Sequence, residues 1–354
     1  MVSRETTVHL RKLQDLKQHL PWYVVEYLEV KQRKRMSPST LSQYARDYIS
    51  FFTWIVKQEI SPEKTPSSVP VEVLADLRKT DAEAYVASLQ ADRGLSDDTV
   101  NRNISSLKSL FKYLTTQTED AQGESYFYRN VFAKIELIRN TEDDSQKAAH
   151  VASQIFQGNT DKEFLQFMVE EYPTTLSSRA LAHYKRNITR DVAIVSLFLG
   201  SGVRVSELVQ LTLDDINFKQ QTLTVLRKGN KKSVILATKS SLEDVKEYLK
   251  VRKELNIPDS QKHVFVSKYG KTWSPLSVRS VQHIVGKYTQ QFVMKMSPHK
   301  FRHTFATKHW LANKDQISLM RQLGHNSIQT TTIYTNMDMR DMEKQMEAMD
   351  EYEA

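Results

Sequence analysis

The chain has 354 residues, 40% hydrophobic and 26% charged, which is enough apolar material for two ordinary domains with their own cores and excludes wholesale disorder. It contains no cysteine, which excludes disulfides and thiolate metal sites and fits a reducing, cytoplasmic setting. A formal charge of +8 favours an acidic partner such as nucleic acid, because basic side chains that neutralise phosphates release counterions.

The N-terminal "MVSRETTVHLRK" lacks the apolar core of a signal peptide, so an unexported protein is expected. A basic cluster, "KQRKR" at residues 31–35, comes next and suits either solvent or a phosphate backbone. Ser37 to Thr40 read as a helix start, after which Leu41, Tyr44, Tyr48, Phe51 and Ile55 form one apolar stripe. A second helix opens at Ser96 to Asp98 and buries Val100, Ile104, Leu107, Phe111 and Leu114. Its other face carries Asn101, Arg102, Ser105, Lys108 and Lys112. A solvated face is the ordinary reading of such a pattern; the alternative is a helix laid against DNA phosphates.

Between Arg139 and Lys147 the polar, acidic "RNTEDDSQK" loses apolar periodicity, and helical patterning resumes at Lys162. The expected division is a helical domain over 1–138, a linker over 139–160 and a second domain over 161–354. The longest apolar stretch, "VAIVSLFLG" at 192–200, falls well short of the ~20 residues of a membrane span, so no membrane partner is expected. "QTLTVLRKGNKKSVILA" is the one strong hairpin signal, two β-branched runs around a Gly-Asn turn. At the end of the chain, Met339, Met342, Met346 and Met349 fall on one helical stripe that suits docking on its own domain or on a partner.

The second domain concentrates residues with chemistry. Arg204 follows a Gly-Ser-Gly break, Lys228 sits at the hairpin turn, and His299 and Arg302 are three apart on a helix begun by Ser297 and Pro298. In "LGHNSIQTTTIYTN", an unbroken helix would hold His325 and Tyr334 roughly 13 Å apart. Gly324 and Asn326 tolerate φ > 0 and Ser327 is a good N-cap, so a turn followed by a short helix can bring the two together. Two arginines, two histidines and a lysine suit a phosphoryl transfer that uses no metal or other cofactor. Guanidiniums grip non-bridging oxygens and offset the charge of the transition state. A tyrosine hydroxyl needs such help to attack phosphorus, and a lysine on a hairpin is a suitable source of the proton that a departing 5′-oxygen needs.

"SGVRVSELVQLTLDDI", "KGNKK", "HKFRHTFAT" and "LGHNSIQTTTIYT" together resemble the motifs of the tyrosine recombinases of the phage integrase family, in order and spacing, over roughly residues 160–340. Within that family the chain resembles the Xer type, and its longer N-terminal helix and linker resemble the streptococcal members that act as a single recombinase. The resemblance implies a mainly α fold: a helical core-binding domain and a mainly helical catalytic domain with a small antiparallel sheet, forming a C-shaped DNA clamp. It implies that Arg204 and Arg302 clamp the scissile phosphate, that His299 and His325 bond it or relay protons, and that Tyr334 attacks to give a 3′-phosphotyrosyl intermediate. Lys228 is then the general acid, with Lys231 and Lys232 as rivals. Glu207 orients Arg204. Arg102, Lys108, Lys112 and Arg279 are expected to touch DNA. The implied partners are a double-stranded recombination site and a homotetramer on two sites with exchange of the C-terminal helix, with a DNA translocase as activator; the implied task is chromosome dimer resolution. Asn313 stands where the family usually has glycine and is expected to take the left-handed conformation without functional effect.

The alternatives are the integrase of a mobile element, a non-catalytic DNA-binding protein and a metal hydrolase. For the last, His299 and His303 are four apart with His309 beyond them, but Lys300 stands where a zinc protease motif has glutamate, and no metal ligand set is assigned. His303 is expected to pack against or support the site.

Overall fold

A computed structural model describes residues 4–91, 93–139, 144–227, 231–324, 331, 332 and 334. They divide into two compact units, Met1–Thr141 and Glu142–Ala354. Lys228, His325, Asn326, Ser327, the Gly-Asn turn at 229–230 and the C-terminal methionine stripe lie outside the described residues.

The first unit is helical. The Pro38–Lys57 helix starts as its sequence dictates: Ser37 Oγ accepts from Thr40 N at 3.2 Å, and Pro38 occupies the first turn, where no N–H is needed. Its apolar stripe meets those of the Trp22–Arg33 and Asp97–Thr116 helices in an aromatic core of Tyr23, Tyr27, Tyr48, Phe51, Phe52 and Phe111. Buried phenols need partners, and each tyrosine of this core has one. Tyr23 donates to Val69 O at 3.0 Å, Tyr27 to Ser109 Oγ at 2.7 Å and Tyr48 to Ser106 O at 3.0 Å.

In the second unit the Ser178–Ser201 helix is the spine, with Ala193 to Phe198 all buried. It packs closely on the Lys239–Glu254 helix: a Cβ on Gly200 would lie 2.4 Å from Thr238 Oγ1. Gly200 is therefore a packing residue within the helix. The break comes at Gly202 alone, with φ of +66°, rather than across the whole Gly-Ser-Gly run. The expected hairpin pairs β2 (Thr222–Arg227) with β3 (Lys231–Leu236), antiparallel, and β1 (Ile216–Asn217) adds an edge. A second hairpin went unread in the sequence: β4 (Val266–Tyr269) pairs with β5 (Thr272–Pro275) around Gly270, at φ +59°. Its short strands carry lysine, tyrosine and serine in place of a β-branched run, so they give little periodic signal.

Two further expectations differ. The stretch expected as a linker is not structureless, since Asp144–Ala152 is helical and Phe156 is buried in the core of the second unit, with its N–H donating to Thr304 Oγ1 at 3.2 Å. The left-handed residue after the Pro298–Asn313 helix is Lys314, at φ +53°, not Asn313. Asn313 stays helical because its side-chain amide donates back to His309 O at 2.9 Å, while Lys314 Nζ lies over the Trp310 ring. No helix of the described residues is long and apolar enough to cross a membrane.

Candidate active site

The site gathers from three elements. The first is the turn at Gly202, after which Arg204 caps the short Val205–Leu208 helix. Glu207 holds it from both ends: its carboxylate accepts from Arg204 N at 3.0 Å and from Arg204 Nη1 at 2.9 Å. Glu207 is buried, so this ion pair sits where solvent weakens it little, and it fixes the direction of the guanidinium.

The second element is the Pro298–Asn313 helix, begun by Ser297, whose Oγ accepts from Lys300 N. It projects His299, Arg302 and His303 toward one place. Arg302 is 3% exposed, and its guanidinium donates to Gly202 O at 2.6 Å and to Leu323 O. Burial, and then the charge of Arg204, push its pKa down to about 10. His299 is also pushed below the ordinary imidazole range, by burial first and then by Arg302 and Arg204.

The third is the end of the Gln316–Leu323 helix. Its last carbonyls have no intrahelical partners, and arginines supply them. Arg204 Nη2 donates to Gly324 O at 3.2 Å, Arg302 to Leu323 O, and Arg227 Nη2 to Gln322 O at 2.9 Å. Gly324 has φ of +61° and lies so close to Arg227 that a Cβ there would fall 0.9 Å from Arg227 Nη1. The Gln322 side chain also donates to Leu236 O and accepts from Leu236 N, tying this helix to the end of β3.

Tyr334 is 2% exposed, packed with Phe305, Ala306, Leu319 and Leu323. Its hydroxyl lies 2.8 Å from His303 Nδ1, and His303 in turn makes an edge contact with His299, ring centroids 4.3 Å apart. Burial pushes the Tyr334 phenol up to about 12, against the opposing pull of the Arg302 and Arg204 charges. A phenol, two guanidiniums and two imidazoles thus share one low-dielectric site, where an anionic oxygen would be held by preorganised positive charge.

Of the six residues expected to be catalytic, Arg204, His299, Arg302 and Tyr334 come together. Lys228 and His325 follow directly on Arg227 and Gly324 in the chain but lie outside the described residues. Of the rival lysines, Lys231 pairs with Arg227 across the ladder and shares its face, whereas Lys232 pairs with Leu226. Arg227 and Gln322 went unread in the sequence. No residue-level signal marks them, because their role comes from the meeting of β2, β3 and a distant helix. Among the described residues no group of three or more His, Cys, Asp or Glu side chains is arranged to hold a metal ion.

In the first unit Lys112 is exposed and Lys108 partly so. The ammonium of Lys31 is pushed down by burial and then by the charges of Lys34 and Lys112. Arg102 donates to Asp47 at 3.4 Å while staying partly exposed. Asn101 does not belong to the free face, since its amide bonds both N and O of Ile138 and fastens that end of the unit. Arg279 is exposed in the second unit, on a groove it shares with Arg186, Arg190 and Lys268.

Comparison with known proteins shows the family. The profile described as "Phage integrase family" matches residues 175–341, and that of "Phage integrase, N-terminal SAM-like domain" matches residues 24–118. The tyrosine recombinase XerS of Streptococcus gordonii (strain Challis) is 37% identical over 338 residues, covering 93% of this chain and 95% of that protein. XerS of Streptococcus pneumoniae (strain Hungary19A-6) is 36% identical over the same length. Among solved structures, the XerH recombinase bound to its palindromic difH substrate aligns with a TM-score of 0.66 at 20% identity, over 89% of this chain and 81% of that one. A lambda integrase (75–356) dimer on a core site aligns with a TM-score of 0.59 at 14% identity, over 89% and 95%. Those two likenesses bear on the fold; the sequence matches bear on descent, and by them this chain belongs to the tyrosine recombinases of the phage integrase family, of the Xer type.

Proposed function

We propose that this recombinase cuts and rejoins a double-stranded DNA site through a covalent bond between Tyr334 and a 3′-phosphate. The observation that carries the reading is the buried Tyr334 hydroxyl, 2.8 Å from His303 on the helix that also carries His299 and Arg302, with the charges of Arg302 and Arg204 opposing the rise of its pKa. In the reaction those guanidiniums grip the non-bridging oxygens and His299 donates to one of them. Tyr334 Oη forms the bond to phosphorus as the bond to the 5′-oxygen breaks, and Lys228 protonates that oxygen. His325 completes the phosphate contacts. Arg102, Lys108, Lys112 and Arg279 hold the duplex through its phosphates, which positions the site without reading its sequence.

The likeness to XerS proteins supports chromosome dimer resolution as the task; the reading extends to a homotetramer on two DNA sites that exchange C-terminal segments in the cytoplasm, with a DNA translocase as activator. The test uses a nicked DNA substrate whose cleavage releases a short fragment, with EDTA present. A denaturant-resistant adduct should form and map to Tyr334. Tyr334→Phe should bind the same DNA and form none; adduct in that variant would move the nucleophile elsewhere. In a Lys228→Ala variant, a 5′-bridging sulfur, which departs without a proton, should restore cleavage. Rescue confined to Lys231→Ala would reassign the acid.

A further inference from the structure

The mechanism above leaves one proton without a home. The phenol must lose it as the phosphotyrosyl bond forms, and burial has raised its pKa to about 12, so the tyrosine does not arrive ionised. Arg204 and Arg302 ease ionisation but carry no lone pair to accept a proton. Lys228, in the role proposed for it, gives one up.

Among the described residues, the side chain within hydrogen-bonding distance of the phenol is His303, whose Nδ1 lies 2.8 Å from Tyr334 Oη. The contact follows from the helix: His299 and His303 are four residues apart, so both rings emerge on one face, in edge contact, beside Arg302. A neutral imidazole in the tautomer protonated at Nε2 accepts from the hydroxyl at Nδ1. The Glu207 carboxylate is taken up by Arg204.

From this geometry we infer that His303 is a catalytic residue, the proton acceptor for Tyr334 in cleavage and the donor that returns the proton in rejoining. The inference rests on Tyr334 being the nucleophile. In the forward step the Tyr334 O–H bond breaks and its proton passes to His303 Nδ1. The phenolic oxygen bonds phosphorus, the bond to the 5′-oxygen breaks, and that oxygen takes a proton from the general acid. In the reverse step the incoming 5′-hydroxyl gives up its proton to the general acid, and the imidazolium of His303 protonates the departing phenol. Protons and charge balance over the cycle. His299 is left to its hydrogen bond with the phosphate.

The experiment follows adduct formation in single turnover on the nicked substrate, with DNA binding measured in parallel. His303→Ala should slow adduct formation by about a hundredfold or more, the usual scale of general-base catalysis, with binding unchanged. Added imidazole should restore part of the rate by occupying the space left. His303→Gln covers the case in which the smaller side chain disturbs folding. In that variant, 3,5-difluorotyrosine in place of Tyr334, a more acidic phenol, should recover more of the rate than the same replacement does in the wild-type background. Wild-type rates in His303→Ala or His303→Gln would overturn the assignment. So would a slow rate that neither imidazole nor the acidic phenol improves, which would make His303 a packing residue only. Failure of the wild-type protein to form an adduct at Tyr334 would instead overturn the proposed reaction.

Discussion

Gly324→Ala is the substitution that most directly tests how the site is assembled. The new side chain meets two separate obstacles. At φ +61° the backbone is left-handed, which costs a residue with a Cβ about 1–2 kcal/mol. The Cβ would also fall 0.9 Å from Arg227 Nη1, so the guanidinium must move, at an overpacking cost of about 1–3 kcal/mol. The sum is about 2–5 kcal/mol, and only the second part depends on Arg227. The assay is a double-mutant cycle by denaturant unfolding of the full chain. In an Arg227→Ala background the cost of Gly324→Ala should fall to the backbone part alone, about 1–2 kcal/mol, leaving a coupling of about 1–3 kcal/mol. Because Gly324 O also accepts from Arg204, adduct formation should drop in Gly324→Ala even where the protein remains folded. Equal cost in both backgrounds, within about 0.5 kcal/mol, would refute the reasoning, because independent sites add.

Other expectations are checked more simply. Arg302→Lys keeps a charge but cannot span Gly202 O and Leu323 O at once, so it should cost about 2 kcal/mol by thermal unfolding and abolish adduct formation; wild-type cleavage would show that the fork geometry is unnecessary. Neutralising Lys108 and Lys112 should weaken all duplex sequences alike and reduce the slope of log K against log salt by about 0.9 per contact removed, and an unchanged slope would take those residues off the phosphates. Asp47 is held above the usual carboxylate range, chiefly by burial, so its ionised form weakens the folded state at neutral pH. Asp47→Asn should therefore raise stability above that shifted pKa, and the gain should fade as pH falls below the ordinary carboxylate value of about 3.9, where both states are protonated. A gain that persists in acid would assign the effect to packing instead.

The sequence alone determined whatever depends on local periodicity and on residue type at fixed spacing. The stripe from Leu41 to Ile55, the Ser37-Pro38 helix start, the β2–β3 hairpin, and the phase that puts His299, Arg302 and His303 on one helical face were all legible, because helix and strand geometry is set within a few residues. So were the residue types that phosphoryl transfer needs. Tertiary structure decided which polar groups remain available. Asn101 sits on a face that reads as free, yet Ile138, 37 residues away, takes its amide. His303 reads as a supporting histidine, yet in the folded chain Tyr334 packs on Phe305, Leu319 and Leu323 with its hydroxyl 2.8 Å from His303 Nδ1. Arg227 carries no sequence mark because it acts on carbonyls 94 and 95 residues further along the chain. Hydrogen-bond partners at that separation are chosen by the packing of whole elements, and a pattern of neighbours along the chain does not contain them.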